Sequence, residues 1–430
     1  MRPRPGSLGL LCALLACKGT DPAPSAAGAP AGRTKTSGAP VEPATGAALP
    51  TTPVSIPAGS ALAPSIALPH DPKAPAWLSW LERRPDGTVS LAAAALREDG
   101  LDPPQTVVEG PHLLANWADV PRVAPTPGGA LVAAYLVRPY EIRTSFQRPD
   151  GTWSEPIAPH RGTAEEFGFP ALFAPPAGAA AAAFEPAMGI VWIQDGTVRA
   201  TTVRPGAADP PVVLDPRTCE CCRVAAVATP GAAVVAYRDR SPAEVRDIAV
   251  VRLAGRDPAH ATAPAVPAPR GWTIAGCPVN GPQAARAGTT VALTRFDGKD
   301  GGRVDVLFST DGGARFEPPV VVQASGSLGR AAITPLRGTT FAVVYLSKDA
   351  AAPGRAQVLA RTVHPEKGAG PVRRVGTTTA GRDSGFPVAA AVGRRLFVFW
   401  TDVDEGGAPR LVGRSARIED VLGAAGKEPA

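Results

Sequence analysis

The sequence predicts an all-β fold, a six-bladed β-propeller, on three observations. The first is 50 prolines and 46 glycines in 430 residues, nearly twice the roughly 12 % average for the pair. Proline lacks a backbone N–H and glycine is entropically costly in a helix, so helical bundles and solenoids are excluded. The glycines have no three-residue period, which excludes collagen, and 44 % hydrophobic residues are too many for a wholly disordered chain. The second observation is a repeat: a short apolar strand, a Pro/Gly turn, and a second apolar strand ending in an aromatic. The first copy runs Val120-Pro-Arg-Val-Ala, Pro-Gly-Gly, then Ala130-Leu-Val-Ala-Ala-Tyr135; later copies end at Phe184, Tyr237, Phe296, Tyr345 and Trp400. The third is their separation of 49 to 59 residues, the spacing of four-stranded propeller blades.

In chain order, residues 1–16 read as a signal peptide: a basic start, Met1-Arg2-Pro3-Arg4, then an apolar stretch from Leu8 to Ala16 too short to span a bilayer. Leu14-Leu15-Ala16-Cys17 resembles the bacterial lipobox, which implies lipidation of Cys17 and a lipid-anchored place in the cell envelope; Lys18, where inner-membrane retention uses Asp, favours the outer membrane, on its periplasmic side or at the cell surface. Residues 17–75 are rich in Pro, Ala and Gly with no periodic apolar face, the pattern of a disordered tether. The propeller is expected over 76–420, with Trp77–Leu96 closing the ring against Leu411–Ile418 so that no sheet edge stays free. A disordered tail is expected over 421–430.

The formal charge of +6 is spread along the chain without a run of five Lys or Arg, which is solvated surface charge and gives no nucleic-acid footprint. Five histidines, at 70, 112, 160, 260 and 364, form no ligand cluster, so no metal or other cofactor is expected from them. A monomer is expected, contacting the membrane through its N-terminal lipid alone.

Ser309-Thr310-Asp311-Gly312-Gly313-Ala314-Arg315-Phe316 matches the Asp-box, Ser/Thr-x-Asp-x-Gly-x-x-Trp/Phe. There Asp and Ser side chains tie a tight turn, glycine supplies positive φ, and the aromatic plugs the gap between sheets. Weaker echoes are Arg148-Pro-Asp150-Gly151-Thr-Trp153 and Pro85-Asp86-Gly87-Thr88. On these residues the chain resembles the sialidase-like (BNR repeat) propellers over about 76–420. Asn116-Trp117-Ala118-Asp119, Cys219-Glu220-Cys221-Cys222, Tyr237-Arg238-Asp239-Arg240-Ser241 and Gly276-Cys277-Pro278-Val279-Asn280-Gly281 are similar to a bacterial lipoprotein branch of that group. The branch carries His where this chain has Phe167.

The resemblance implies carbohydrate chemistry. Sialidases hold the substrate carboxylate with three arginines, one in Arg-Ile/Leu-Pro, and add a Tyr nucleophile and an Asp acid/base. No Arg-Ile-Pro or Arg-Leu-Pro occurs here, and a bidentate arginine fork is poorly replaced. The expected function is therefore binding of a glycan or small acidic ligand in a polar funnel on the pore face. An exo-sialidase and a protein-binding surface scaffold are the alternatives. Residues ahead of each inner strand, and those of the third unit's hairpin loop, should converge on that face. The ligand-binding candidates are Asn116, Trp117, Arg238, Arg240, Arg246, Asp247 and Asn280, with Arg330 and Arg382 beside them. Mutual pairing of Arg238/Asp239 and Arg246/Asp247 is the structural alternative for those four. Catalytic candidates are Asp119, Glu166, Asp239 and Tyr237.

Cys219, Cys221, Cys222 and Cys277 suggest two disulfides in an oxidising compartment. The repeat places Cys277 one blade after the other three, so a bridge from Cys221 or Cys222 to Cys277 is expected. A thiolate site for Zn or Cu is the alternative, although Cys-x-Cys-Cys lacks the usual zinc spacing.

Overall fold

Seven sheets, one more than the sequence repeat predicts, are arranged as blades around a central channel. This computed structural model describes residues 46–161, 167–175, 186–254, 260–403 and 407–423. The proposed signal peptide, Cys17, most of the proposed tether, Glu166 and Phe184 lie outside those residues. No helix among the described residues is long and apolar enough to cross a membrane.

The inner strands are Ser60–Ala67, Arg122–Pro125, Phe167–Phe173, Ala225–Thr229, Ala284–Ala287, Ser327–Arg337 and Val388–Val392. Each pairs antiparallel with a second strand and that with a third. Inner strands are rich in Ala and Val because they converge on the axis. Second strands such as Met188–Gln194 and Ala232–Arg238 are buried throughout, as expected for strands covered on both faces. They carry Trp80, Tyr135, Trp192, Tyr237, Tyr345 and Trp400, where diverging blades leave room for rings. In the third blade Trp192 takes the place that the repeat gave to Phe184. An apolar cluster fills every gap between adjacent blades, so the core is a ring of interfaces.

The seventh blade comes from Ser60–Ala67, a segment that the repeat assigned to the tether. Its Pro64 interrupts the apolar pattern, but the ladder with Ala76–Arg83 breaks between Leu62 and Ser65, with Ala63 at φ 54°. An irregularity of this kind is where a strand tolerates proline. Ring closure also differs from expectation. Thr52–Val54 pairs with Pro409–Arg417, so an N-terminal strand completes the last blade, while Ala76–Arg83 and Val89–Arg97 belong to the first. At the C-terminus Ile418–Leu422 is a short helix with Val421 buried, so residues 421–423 of the expected tail are ordered, and 424–430 lie outside the described residues.

The turn Ser309–Phe316 joins the third and fourth strands of the fifth blade. Ser309 Oγ donates to Asp311 Oδ1 at 2.9 Å, and that oxygen accepts the N–H groups of Ala314 at 3.1 Å and Arg315 at 2.9 Å. Gly313 has φ 87°, and a Cβ there would meet Val234 Cγ2 of the fourth blade at 2.2 Å. Phe316 packs against the apolar cluster that contains Val234. The turn thus seals two blades. The echo at Asp150 lies at a similar corner, whereas Asp86 sits in the hairpin between second and third strands.

Candidate functional site

The channel holds a cavity of about 660 Å³ lined by all seven inner strands. Its lining continues into the turns between first and second strands, with Leu68, His70, Gly288 and Gly393, which define the lower face. At the other end Arg122 faces into it. Above Arg122 the loops that enter the inner strands bring Trp117, Asp119, Arg223, Asn280, Arg330 and Phe386 together. The sequence predicts an open polar funnel on this upper face. Instead Asp119, Arg223, Asn280, Arg330 and Phe386 are buried and form a cap.

Each cap residue is placed by its loop. Asn116 Oδ1 accepts the N–H groups of Ala118 and Asp119 at 2.8 and 2.6 Å, an Asx-type turn that presents Asp119 inward. Asp119 then accepts from Asn116 Nδ2 at 2.9 Å and from Phe169 N–H at 3.2 Å. Burial raises its pKa despite those bonds and the nearby Arg223. Trp117 stacks on Phe386, with centroids 6.2 Å apart. Arg330 lies over Trp117 and donates to Gly381 O at 2.7 Å and Ser384 Oγ at 2.8 Å.

Arg122 lines the channel, and Arg223 and Arg330 lie in the cap beyond it. Arg122 donates to Pro170 O and Ser65 Oγ, both at 3.1 Å, and burial pushes its pKa down to about 10. Arg330 is likewise pushed down to about 10 by burial. Arg223 is 2 % exposed; its guanidinium lies 4.3 Å from the Phe386 ring centre, and its Nε and Nη2 have no hydrogen-bond partner. Burial, then repulsion from Arg122, drives its pKa well down, with Asp119 opposing. An uncompensated guanidinium in an apolar setting is costly.

Arg122 and Arg223 escaped the sequence reading, yet a signal exists: Arg122-Val-Ala, Arg223-Val-Ala and Arg330-Ala-Ala stand at corresponding places in alternate blades, the second, fourth and sixth. Inner-strand heads converge by construction, so three arginines in that register come to the same end of the propeller.

The other predicted site residues are absorbed in a second network. Arg238 is 1 % exposed and donates to the carbonyls of Asn280, Arg246 and Phe296, with its guanidinium 4.9 Å from the Trp272 ring centre. It pairs with no carboxylate among the described residues. Asp247 accepts from the N–H groups of Arg270 and Gly271 at 3.0 and 2.8 Å, and Arg246 donates to Glu244 at 2.6 Å. Arg240 spans Glu220 at 2.8 Å and Glu244 at 3.1 Å, and its N–H donates to Asp239. Burial raises the Asp239 pKa. Asn280 accepts from Arg330 N–H at 2.6 Å and donates to Leu328 O at 3.0 Å. Tyr237 is buried in the gap between the third and fourth blades. Its hydroxyl donates to Asp215, and burial first, then that carboxylate, drives its pKa far up. Tyr237 is fully buried and does not line the channel.

Cys221 and Cys277 form a disulfide that ties the loops before the fourth and fifth inner strands, one of the two pairings expected. Cys219 and Cys222 are buried thiols with their sulfurs 3.2 Å apart. The second predicted disulfide is not closed.

No family model and no curated protein matches this chain. Among solved structures it is similar to the BP39L lectin from Burkholderia pseudomallei, at 12 % identity and TM-score 0.56, covering 81 % of this chain and 95 % of that one. A protein of unknown function from Dyadobacter fermentans aligns at 14 % identity and TM-score 0.48, covering 85 % and 98 %. The α-L-arabinofuranosidase Arb93A from Fusarium graminearum aligns at 12 % and 0.46, covering 72 % and 96 %. At such identities the likeness to the lectin speaks for the fold: the chain is a β-propeller.

Proposed function

We propose that this chain binds an acidic sugar or a small carboxylic acid in its central channel, with the ligand's anionic group against Arg122 and Arg223. The observation that carries the reading is Arg223, a buried guanidinium with two unpartnered nitrogens beside the half-buried, channel-lining Arg122 and a single carboxylate, Asp119. A carboxylate supplies the missing charge and accepts from the guanidinium fork. A cavity of about 660 Å³ is of the size that encloses a small ligand, and its mixed lining suits a sugar ring. The sialidase-like sequence phrases support an acidic sugar, and the lectin neighbour supports a sugar ligand in general. The lipobox-like Leu14-Leu15-Ala16-Cys17 supports, for this binding domain, a lipid anchor at Cys17 in an envelope membrane.

A glycan array with acidic and neutral members, run beside a fluorogenic sialoside assay, tests the reading. Retention of acidic members without turnover is the expected result. Retention of neutral glycans alone, or of none, contradicts it; sialoside turnover would make the channel an active site.

A further inference from the structure

The four cysteines stand apart from the arginine cap in their chemistry. Thr218 Oγ1 and Cys219 N–H both donate to the carbonyl of Arg238, at 2.7 and 3.0 Å, which fixes the start of the cysteine loop on the second strand of the fourth blade. From that anchor the loop brings three sulfurs together: Cys219 lies 3.2 Å from Cys222 and 3.7 Å from Cys221. Cys221 is already bonded to Cys277. Burial differs along this row. Cys219 and Cys222 are inaccessible, Cys221 is half-buried and Cys277 is exposed. A disulfide with one end in solvent therefore has its other end against a buried dithiol.

We propose that these residues form an internal thiol–disulfide relay that carries a pair of thiols from the buried Cys219/Cys222 position to the surface Cys221/Cys277 position. In the first step the Cys219 thiolate attacks Cys221 Sγ. A Cys219–Cys221 bond forms, the Cys221–Cys277 bond breaks, and its electron pair leaves on Cys277, which takes a proton from water. In the second step Cys222 gives up its proton and attacks Cys219 Sγ. A Cys219–Cys222 disulfide forms, the Cys219–Cys221 bond breaks, and Cys221 leaves as thiolate and is protonated. One disulfide and two thiols exist before and after, so the exchange needs no outside oxidant.

Electrostatics favours the first attacker. The hydrogen bond between Cys219 and Cys222 holds the Cys219 pKa down to about 6 against its burial, with the charges of Arg246 and Arg238 assisting. Burial pushes Cys222 up, so one thiolate and one thiol coexist at neutral pH. A thiolate beside a disulfide sulfur is the reactive arrangement for exchange. The surface dithiol so produced can reduce an external disulfide, its two thiols becoming a disulfide as the external one becomes two thiols. This inference is independent of the ligand that occupies the channel.

The test uses the full chain carrying one disulfide, exposed natively to iodoacetamide, then acid-quenched and mapped by mass spectrometry. The relay predicts first alkylation at Cys277 and Cys221 with a Cys219–Cys222 disulfide recovered. Alkylation confined to Cys219 or Cys222, with Cys221–Cys277 intact, overturns it. A parallel rate measurement uses an aromatic disulfide, 5,5′-dithiobis(2-nitrobenzoate), on wild type and the double variant Cys221→Ser/Cys277→Ser. Buried thiols without their exchange partner should react at least about tenfold more slowly; equal rates show direct access and refute the relay. Four thiols masked by bound zinc or copper, found by metal analysis with thiol counting, also refute it.

Discussion

The Arg238 guanidinium places two hydrogen bonds on one carbonyl, that of Asn280, from Nε at 3.0 Å and Nη2 at 2.6 Å. Its remaining donors reach Arg246 O and Phe296 O. Since the carbonyl of Arg238 also holds the cysteine loop, one residue fixes three loops of the upper face. Arg238→Met should lower unfolding stability by about 3 kcal/mol or more, because each buried carbonyl left without a donor costs roughly 1–3 kcal/mol. Arg238→Lys should recover only part of this, as an ammonium lacks the planar fork. Urea midpoints of the three proteins check it; wild-type stability in Arg238→Met would remove Arg238 from this role.

Tyr237 presents a simpler case. Its hydroxyl serves Asp215 in the gap between two blades, so Tyr237→Phe should cost about 1–3 kcal/mol and leave ligand affinity unchanged. Thermal melts together with a binding titration separate the two effects. Loss of binding at full stability would return Tyr237 to the site.

Acid should weaken the Ser309–Phe316 turn. The N–H of Arg315 and the other donors hold the Asp311 pKa down to about 2, below its ordinary 3.8. A depressed carboxylate stabilises the fold above the unfolded value and loses that contribution as pH falls from about 4 toward 2. Asp311→Ala should therefore be less stable than wild type at pH 6 and converge with it near pH 2. Denaturant titrations across that range decide the matter; a gap that persists at pH 2 would mean the turn is held by other groups.

At Gly313 the demand is steric. With φ 87° and Val234 Cγ2 at 2.2 Å from a built Cβ, Gly313→Ala should cost about 2 kcal/mol or more from left-handed strain and overpacking. An unchanged melting temperature would show that the fourth and fifth blades can part there without penalty.

The propeller was legible because strand burial repeats. Aromatics at Tyr135, Tyr237, Tyr345 and Trp400 mark second strands where blades diverge, and their spacing survives any loop sequence. The seventh blade was hidden because Ser60–Ala67 carries Pro64 at a ladder irregularity and follows a run of Pro and Ala. Periodicity alone reads such a segment as linker. Site residues were legible as neighbours but not as roles. Arg238 and Asn280 do sit on the upper face, yet whether a guanidinium points to solvent or to three carbonyls depends on loop paths that spacing does not encode. The Cys221–Cys277 bridge was foreseeable since blade order brings adjacent inner-strand entries together. Arg122 and Arg223 could have been found by aligning inner-strand heads instead of the aromatics that end each pair.

Arg223 links stability and binding in opposite directions. A buried guanidinium with unpartnered nitrogens opposes folding, so Arg223→Met should raise unfolding stability by about 1–3 kcal/mol. The same change removes the charge that meets the ligand. Calorimetric titration of both proteins with an acidic monosaccharide and its neutral counterpart is the most direct measurement. The account predicts that wild type binds the acidic sugar and not the neutral one, and that Arg223→Met is more stable and binds neither. Undiminished binding of the acidic sugar by Arg223→Met, or equal binding of both sugars by wild type, would contradict it.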